Sequence, residues 1–312
     1  MIADIYLYRF KKNASIGTRK LLSTQPHYLQ SCCFIPLTVY TDKISPWYLS
    51  FHGLCGTATM LSSESGQYES VKEVALPFYY NIGTQIKQSP ITGFTRLYHL
   101  DILPAFHQRN HSKLSLKMTQ WLSYKGNTSI CMDFDYTDAL TGEPIAKAVA
   151  HNVTVDVATR RPCRNPAFDI VSRDQLTRKA PPRGFKQPMT PANSVIYTTN
   201  VVSSGTDSNQ HQSMALHIRD CWNAGSMAAC DGKLLHYDKD LAFYRVKYVT
   251  ILYLGEVLIG DELSVACWEH DQDYDTLCFT MIKRSKVVGQ CQMTFDSGDM
   301  IKSRTGHTLA KL

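Results

Sequence analysis

No stretch of this 312-residue sequence is apolar over the roughly 18 residues that a membrane-spanning helix needs. Its ten cysteines, scattered from Cys32 to Cys291, include no Cys-x-x-Cys pair, which is poor spacing for a zinc site. The first ten residues lack both the uninterrupted apolar core and the small-residue cleavage site of a secretory signal. A reducing intracellular compartment is therefore expected, with most thiols acting as small buried hydrophobes. A one-signed charge surplus is also missing from most of the chain. Residues 160–194 carry eight bases against two acids, which accounts for the whole formal net charge of +6, and the rest has 25 of each. A general basic face for DNA or RNA is thereby disfavoured, and no nucleic-acid partner is expected.

What is present is a globular composition, 44% hydrophobic and 19% charged, long enough for one large domain or two ordinary ones. The basic segment also holds six of the thirteen prolines, so it reads as a connector between two folded halves. An internal repeat agrees. Trp121 and Cys131 recur as Trp268 and Cys278, both at an offset of 147 residues.

Each half offers the same order of elements. A β-rich leading strand (34–40; 195–202) is followed by a polar loop and then a stretch of helical character (47–61; 212–229), with Met214, Ile218, Cys221 and Trp222 on one helical face. Alternating strands close each half: 95–103, 113–124, 128–137 and 145–157 in the first, 242–253, 262–269, 276–284 and 287–295 in the second. Asp138 to Glu143 reads as a hairpin turn, with Gly142 where a positive φ is needed. One long helix wrapped by a curved antiparallel sheet is the order of the hotdog fold. The expected class is α+β, a tandem (double) hotdog: residues 1–159, a connector over 160–193, and residues 194–312.

The polar loop of the second half reads Asp207-Ser-Asn209-Gln-His211 just before the expected helix. Asp-x-Asn-x-His puts three polar side chains on alternate residues, hence on one side of an extended loop. A helix N-terminus beside them supplies unpaired N–H groups and a positive dipole end, suited to a carbonyl that becomes an oxyanion. Asp and Asn also commonly cap helices. The corresponding first-half loop, residues 40–47, has neither Asn nor His, so the fold itself does not require them. His217, six positions after His211, falls on the opposite side of the helix, and neither a metal nor a cofactor is expected.

The Asp207-x-Asn209-Gln-His211 loop, with Tyr253-Leu-Gly-Glu256 downstream, resembles the active-site pattern of plant acyl-(acyl carrier protein) thioesterases. Further matches are Trp121, the run Asp138-Ala-Leu-Thr-Gly-Glu-Pro-Ile-Ala-Lys-Ala148, and Val155-Asp-Val-Ala-Thr-Arg-Arg161. The resemblance implies tandem hotdogs, the first non-catalytic and shaping an acyl pocket, the second catalytic. It assigns catalytic roles to Asp207, Asn209, His211 and Glu256. Where the plant proteins have a cysteine directly after the glutamate, this chain has Val257, so a cysteine nucleophile is not implied. The 45 residues between His211 and Glu256 also exceed the family's spacing, and the surplus around 230–240 is expected to loop out.

The implied chemistry is hydrolysis of a fatty acyl thioester to free fatty acid and thiol. Glu256, assisted by Asp207, serves as general base on water or attacks directly. Asn209 and the backbone amide of Gln212 hold the thioester oxygen, and His211 orients the carboxylate or protonates the leaving thiolate. The terminal Ala310-Lys311-Leu312 resembles a peroxisomal address read by an import receptor, which favours acyl-coenzyme A over acyl carrier protein as substrate. A mitochondrial or cytoplasmic location is second choice, and a homodimer is left open. Two rivals stand beside this reading: a hotdog enoyl-CoA hydratase, whose loop resembles Gly-Asp-x-Asn-Pro-x-His, and a non-catalytic acyl-binding scaffold. For the connector, bases such as Arg160 and Arg161 are expected to be solvated or to meet the phosphates of coenzyme A or an acidic carrier.

Overall fold

The structure is a computed structural model that describes residues 31–36, 91–108, 115–156, 158–164, 176–186, 188–203, 206, 211–296 and 298. Among the described residues ten strands form one antiparallel sheet: β1 (Ser31–Pro36), β2 (Ile91–Ile102), β3 (Ser115–Lys125), β4 (Ser129–Asp138), β5 (Pro144–Asp156), β6 (Val195–Asn200), β7 (Val246–Tyr253), β8 (Glu262–Glu269), β9 (Thr276–Lys283) and β10 (Lys286–Phe295). Their spatial order is β1-β3-β4-β5-β2-β7-β10-β9-β8-β6. Read outward from the central β2–β7 pair, the first five strands and the last five follow the same order. The 147-residue repeat is thus visible as topology, with Trp121 and Trp268 on the matching strands β3 and β8.

Strand pairing turns alternation into two faces. Phe134, Ala148, Leu100, Val249, Met293 and Leu277 lie side by side across six strands, and all are buried. Onto this face packs helix α2 (Met214–Cys230), through Ile218, Cys221, Trp222 and Ala224. Gly225 permits that approach: a Cβ there would stand 2.6 Å from Leu241 Cδ1 and 3.4 Å from Leu277 and Phe279. The helix expected over 47–61 lies outside the described residues.

Local chemistry sets the boundaries. Asp138 Oδ1 accepts from the amides of Leu140 (2.8 Å) and Thr141 (3.2 Å), and Gly142 takes φ 74°, closing the β4–β5 hairpin as expected. The strand expected from 242 begins only at Val246, because Asp240 caps Ala242 N and draws Leu241–Phe243 into a single 3-10 turn. One helix was not expected: α1 (Pro104–Gln108), opened by a proline where no N–H is needed and anchored by the buried Phe106.

The connector does not run free of the sheet. Asp133, Val149, His99, Thr250, Gln292 and Cys278 form a row on the face opposite α2. Arg178 grips Asp133 with both Nε (3.0 Å) and Nη2 (2.7 Å) and donates its amide to Ser123 O. Further along, Gly184 lies so close to Leu252 that a Cβ would sit 3.0 Å from Cδ2, and Thr190 bonds Thr280 at 3.0 Å. The described residues between 178 and 190 therefore cross this face from β4 to β9, and the Arg178 guanidinium is committed to Asp133. Arg178→Ala is expected to destabilise the protein by about 2–3 kcal/mol, since it strands a largely buried carboxylate. A urea midpoint indistinguishable from wild type would contradict that.

Two imidazoles lie beneath this crossing. His99 bonds Thr250 Oγ1 at 2.7 Å; burial lowers its pKa, Asp101 opposes and Arg178 adds to the lowering. Burial, with Arg96, also lowers the pKa of His151. Both start from an ordinary value of 6.5 in the unfolded chain. As pH falls below that value the unfolded chain takes up protons the folded state resists, so stability present at neutral pH is lost on acidification. The urea midpoint is expected to fall between pH 7.5 and about 5.5. The double variant His99→Gln/His151→Gln should flatten that slope, and an unchanged slope would refute the assignment.

Candidate active site

At one end of the β2–β7 seam the chain brings His211 and Glu256 together. Glu256 lies three residues beyond β7, in the loop leading to β8, not on the strand itself. Its backbone is held on every side. Gly255 N donates to Val288 O (3.0 Å), Lys283 Nζ donates to Glu256 O (2.6 Å), and Gln212 N donates to Val257 O (2.8 Å). A bridge joins His211 to Leu258. Gly255 allows β10 to come this near, since a Cβ would stand 3.2 Å from Val288 Cγ1. Asp261 closes the loop by accepting from Leu258 N (2.8 Å) and Lys283 Nζ (2.9 Å). Burial pushes its pKa up, but the Leu258 amide, Lys283 and Arg284 outweigh that and hold it below the ordinary carboxylate value.

The side chains converge within this frame. His211 Nε2 stands 3.7 Å from Glu256 Oε2, with His211 nearly buried and Glu256 40% exposed. That separation is within ion-pair reach and slightly long for a hydrogen bond, a spacing common in sites that tighten on substrate. The Phe94 ring of β2 lies 5.1 Å from the imidazole, tilted by 60°. Arg160 Nη1 donates to Glu256 Oε1 at 3.0 Å. Two groups from the N-terminal strands and their exit turn therefore touch the site, and neither was expected there. Arg160 in particular meets a carboxylate where a phosphate or solvent was expected.

Asp207 and Asn209 lie outside the described residues. They belong to the stretch between Thr206 and His211, and Thr206 forms an isolated bridge with Gln212. The Gln212 amide, expected to hold the substrate oxygen, is committed to Val257 O instead, so that expectation is corrected. The Gln212 side chain turns to the helix and donates to Asp220, a buried carboxylate of α2 that also pairs with Arg219 at 3.1 Å. Asp220 thus ties the loop to the helix. Ser213 is the N-cap of α2, without a side-chain cap bond, and the first turn carries no acid.

Two described positions speak against a thiol nucleophile. Val257, in the place next to the glutamate, is buried, and Cys163, on the chain just after Arg160, has its pKa raised by burial and by Asp156. Among the described residues no group of three or more His, Cys, Asp or Glu could hold a metal ion, and no helix is long and apolar enough to cross a membrane.

Neither a family model nor a curated protein matches the sequence. Solved structures do match the fold. An acyl-ACP thioesterase from Bacteroides thetaiotaomicron aligns over 86% of this chain and 98% of its own, with TM-score 0.59 and 15% identity. The 12:0-ACP thioesterase from Umbellularia californica aligns over 88% and 99%, with TM-score 0.61 and 13% identity. A putative oleoyl thioesterase from Lactobacillus plantarum aligns over 86% and 97%, with TM-score 0.61 and 12% identity. At such identities the likeness is one of fold: the chain has the hotdog-type architecture of these thioesterases, built on one large antiparallel sheet.

Proposed function

We propose that the protein is a thioesterase that hydrolyses fatty acyl thioesters, acyl-coenzyme A before acyl carrier protein, to free fatty acid and thiol. The observation that carries this reading is the convergence of His211 and Glu256, 3.7 Å apart although 45 residues separate them in sequence. Asp207 and Asn209 are tethered four and two residues before that histidine. We read residues 1–159 and 194–312 as tandem hotdogs joined by the connector 160–193, the first shaping the acyl pocket and the second carrying catalysis. The shared strand order on either side of the β2–β7 pair supports this.

In the proposed reaction Glu256, assisted by Asp207, takes a proton from water as the water oxygen bonds to the thioester carbon. The oxyanion that forms is held by the Asn209 amide and by an N–H of the first α2 turn, in place of the Gln212 amide. Collapse breaks the carbon–sulfur bond, and the departing thiolate takes a proton delivered through His211. Direct attack by Glu256 would give an anhydride that water then opens, with the same products.

The test is a panel of acyl-CoAs and acyl carrier proteins, with thiol release followed for the wild type and for Asp207→Ala. Thiol release that Asp207→Ala abolishes supports the proposal. Normal hydrolysis by Asp207→Ala would remove that residue from the site, and binding without any turnover would favour the scaffold reading. The tripeptide Ala310-Lys311-Leu312 supports a peroxisomal destination. Masking Leu312 with a C-terminal fluorescent tag should abolish import, and unchanged import would overturn it.

A further inference from the structure

We infer that Arg160 is a positioning residue for Glu256, lent by the turn that follows β5 to a carboxylate and an imidazole that come from the C-terminal part of the chain. The inference rests on the thioesterase reading of Glu256. Arg160 ends a tight turn that follows β5. Asp156 anchors the turn, accepting from Thr159 N (2.7 Å) and Thr159 Oγ1 (2.8 Å) through its carboxylate and from Arg160 N (2.8 Å) through its carbonyl. The Asp156 amide in turn donates to Arg161 O at 3.0 Å. Within this turn Arg160 adopts φ 56°, a left-handed conformation that side chains other than glycine and asparagine seldom take.

That conformation closes the turn, and from the closed turn the side chain reaches Glu256. The guanidinium holds Oε1 of Glu256, and Oε2 is left facing His211. At 52% and 40% exposure the pair contributes little to stability, because water and salt screen it. The turn's own hydrogen bonds account for the backbone, as a tight turn does at Arg284 and Ser285 between β9 and β10, but they do not require a guanidinium that reaches Glu256, and a side chain mounted on so fixed a turn is aimed at one place. The arrangement fixes the carboxylate's rotamer and keeps one oxygen directed at the imidazole. It also makes the site dependent on the exit turn of the N-terminal strands, although the carboxylate and imidazole themselves come from the C-terminal part.

The test uses the full chain carrying Arg160→Ala, Arg160→Lys or Glu256→Gln, with thiol release read as kcat and KM separately. Arg160→Ala should lower kcat by about tenfold or more with KM changed less than about threefold. Arg160→Lys should recover part of the loss. Added guanidinium ion, at concentrations that leave the protein folded, should restore kcat to Arg160→Ala and leave Glu256→Gln unaffected. A merely structural pin between the two parts would show neither rescue. Wild-type kcat in Arg160→Ala, or a loss that guanidinium does not restore, overturns the inference. Full activity in Glu256→Gln would instead overturn the catalytic reading on which it rests, so the two failures are distinguishable.

Discussion

Glu256→Gln is expected to lower kcat for thioester hydrolysis by about 10²- to 10⁴-fold, the usual contribution of a positioned general base. The substitution keeps the side chain's size and an oxygen for Arg160 but removes the charge that accepts a proton. KM should change little, because in the proposed reaction the carboxylate acts on water or on the reacting carbon and not on the acyl chain. Stability should also change little. The side chain is 40% exposed, and its loop is held by backbone bonds to Val288, Lys283 and Gln212 that the substitution leaves alone. Thiol release at saturating substrate measures the effect, with the urea midpoint as control. A variant within threefold of wild type would remove Glu256 from the chemistry and leave its ion pair with Arg160 as a surface contact.

Trp222→Ala has the largest expected effect on stability, a loss of about 3–5 kcal/mol. Trp222 is among the largest fully buried side chains, sits mid-way along α2 and packs against Phe295 at 6.1 Å between ring centroids. Removing an indole leaves a cavity between a helix and a sheet, both held elsewhere by bulky neighbours such as Ile218 and Val249, so collapse into the space is limited. Urea unfolding measures it at an unchanged m-value. A loss below about 1 kcal/mol would mean that α2 is not the helix around which the C-terminal strands pack.

Much of this architecture is legible locally. The apolar spacing of Met214, Ile218, Cys221 and Trp222 marks α2 to within two residues of its observed start, because a long amphipathic period is a strong signal. The β4–β5 turn declares itself through Asp138 and Gly142, whose roles are local hydrogen bonding and positive φ. The five residues of α1 carry only one buried side chain, Phe106, and so leave no period to detect.

Legibility in the site divides along the same line. His211 stands out from its own loop. What it meets depends on chain folded from elsewhere: Phe94 from β2, and Glu256 from a loop pinned by β9 and β10. The Gln212 amide is taken by Val257 O for the same reason. Composition marks the connector as basic and proline-rich, but no composition says which carboxylate a given base will find. Arg160 finds Glu256, 96 residues away, and Arg178 finds Asp133, 45 residues back. The local +6 is thus partly consumed inside the molecule. Electrostatic pairing across the sheet, unlike hydrophobic period, has no signature in the neighbouring sequence.

The most direct test of the central claim is a reaction of the purified protein with trans-2-enoyl and saturated acyl-CoAs in ¹⁸O-labelled water, with products read by mass spectrometry. Hydrolysis at the His211–Glu256 site predicts free thiol and free acid in equal amounts from the saturated substrate, with the label in the acid's carboxyl group. Label found only in a 3-hydroxyacyl thioester, with no thiol released from either substrate, would contradict it and make the protein a hydratase.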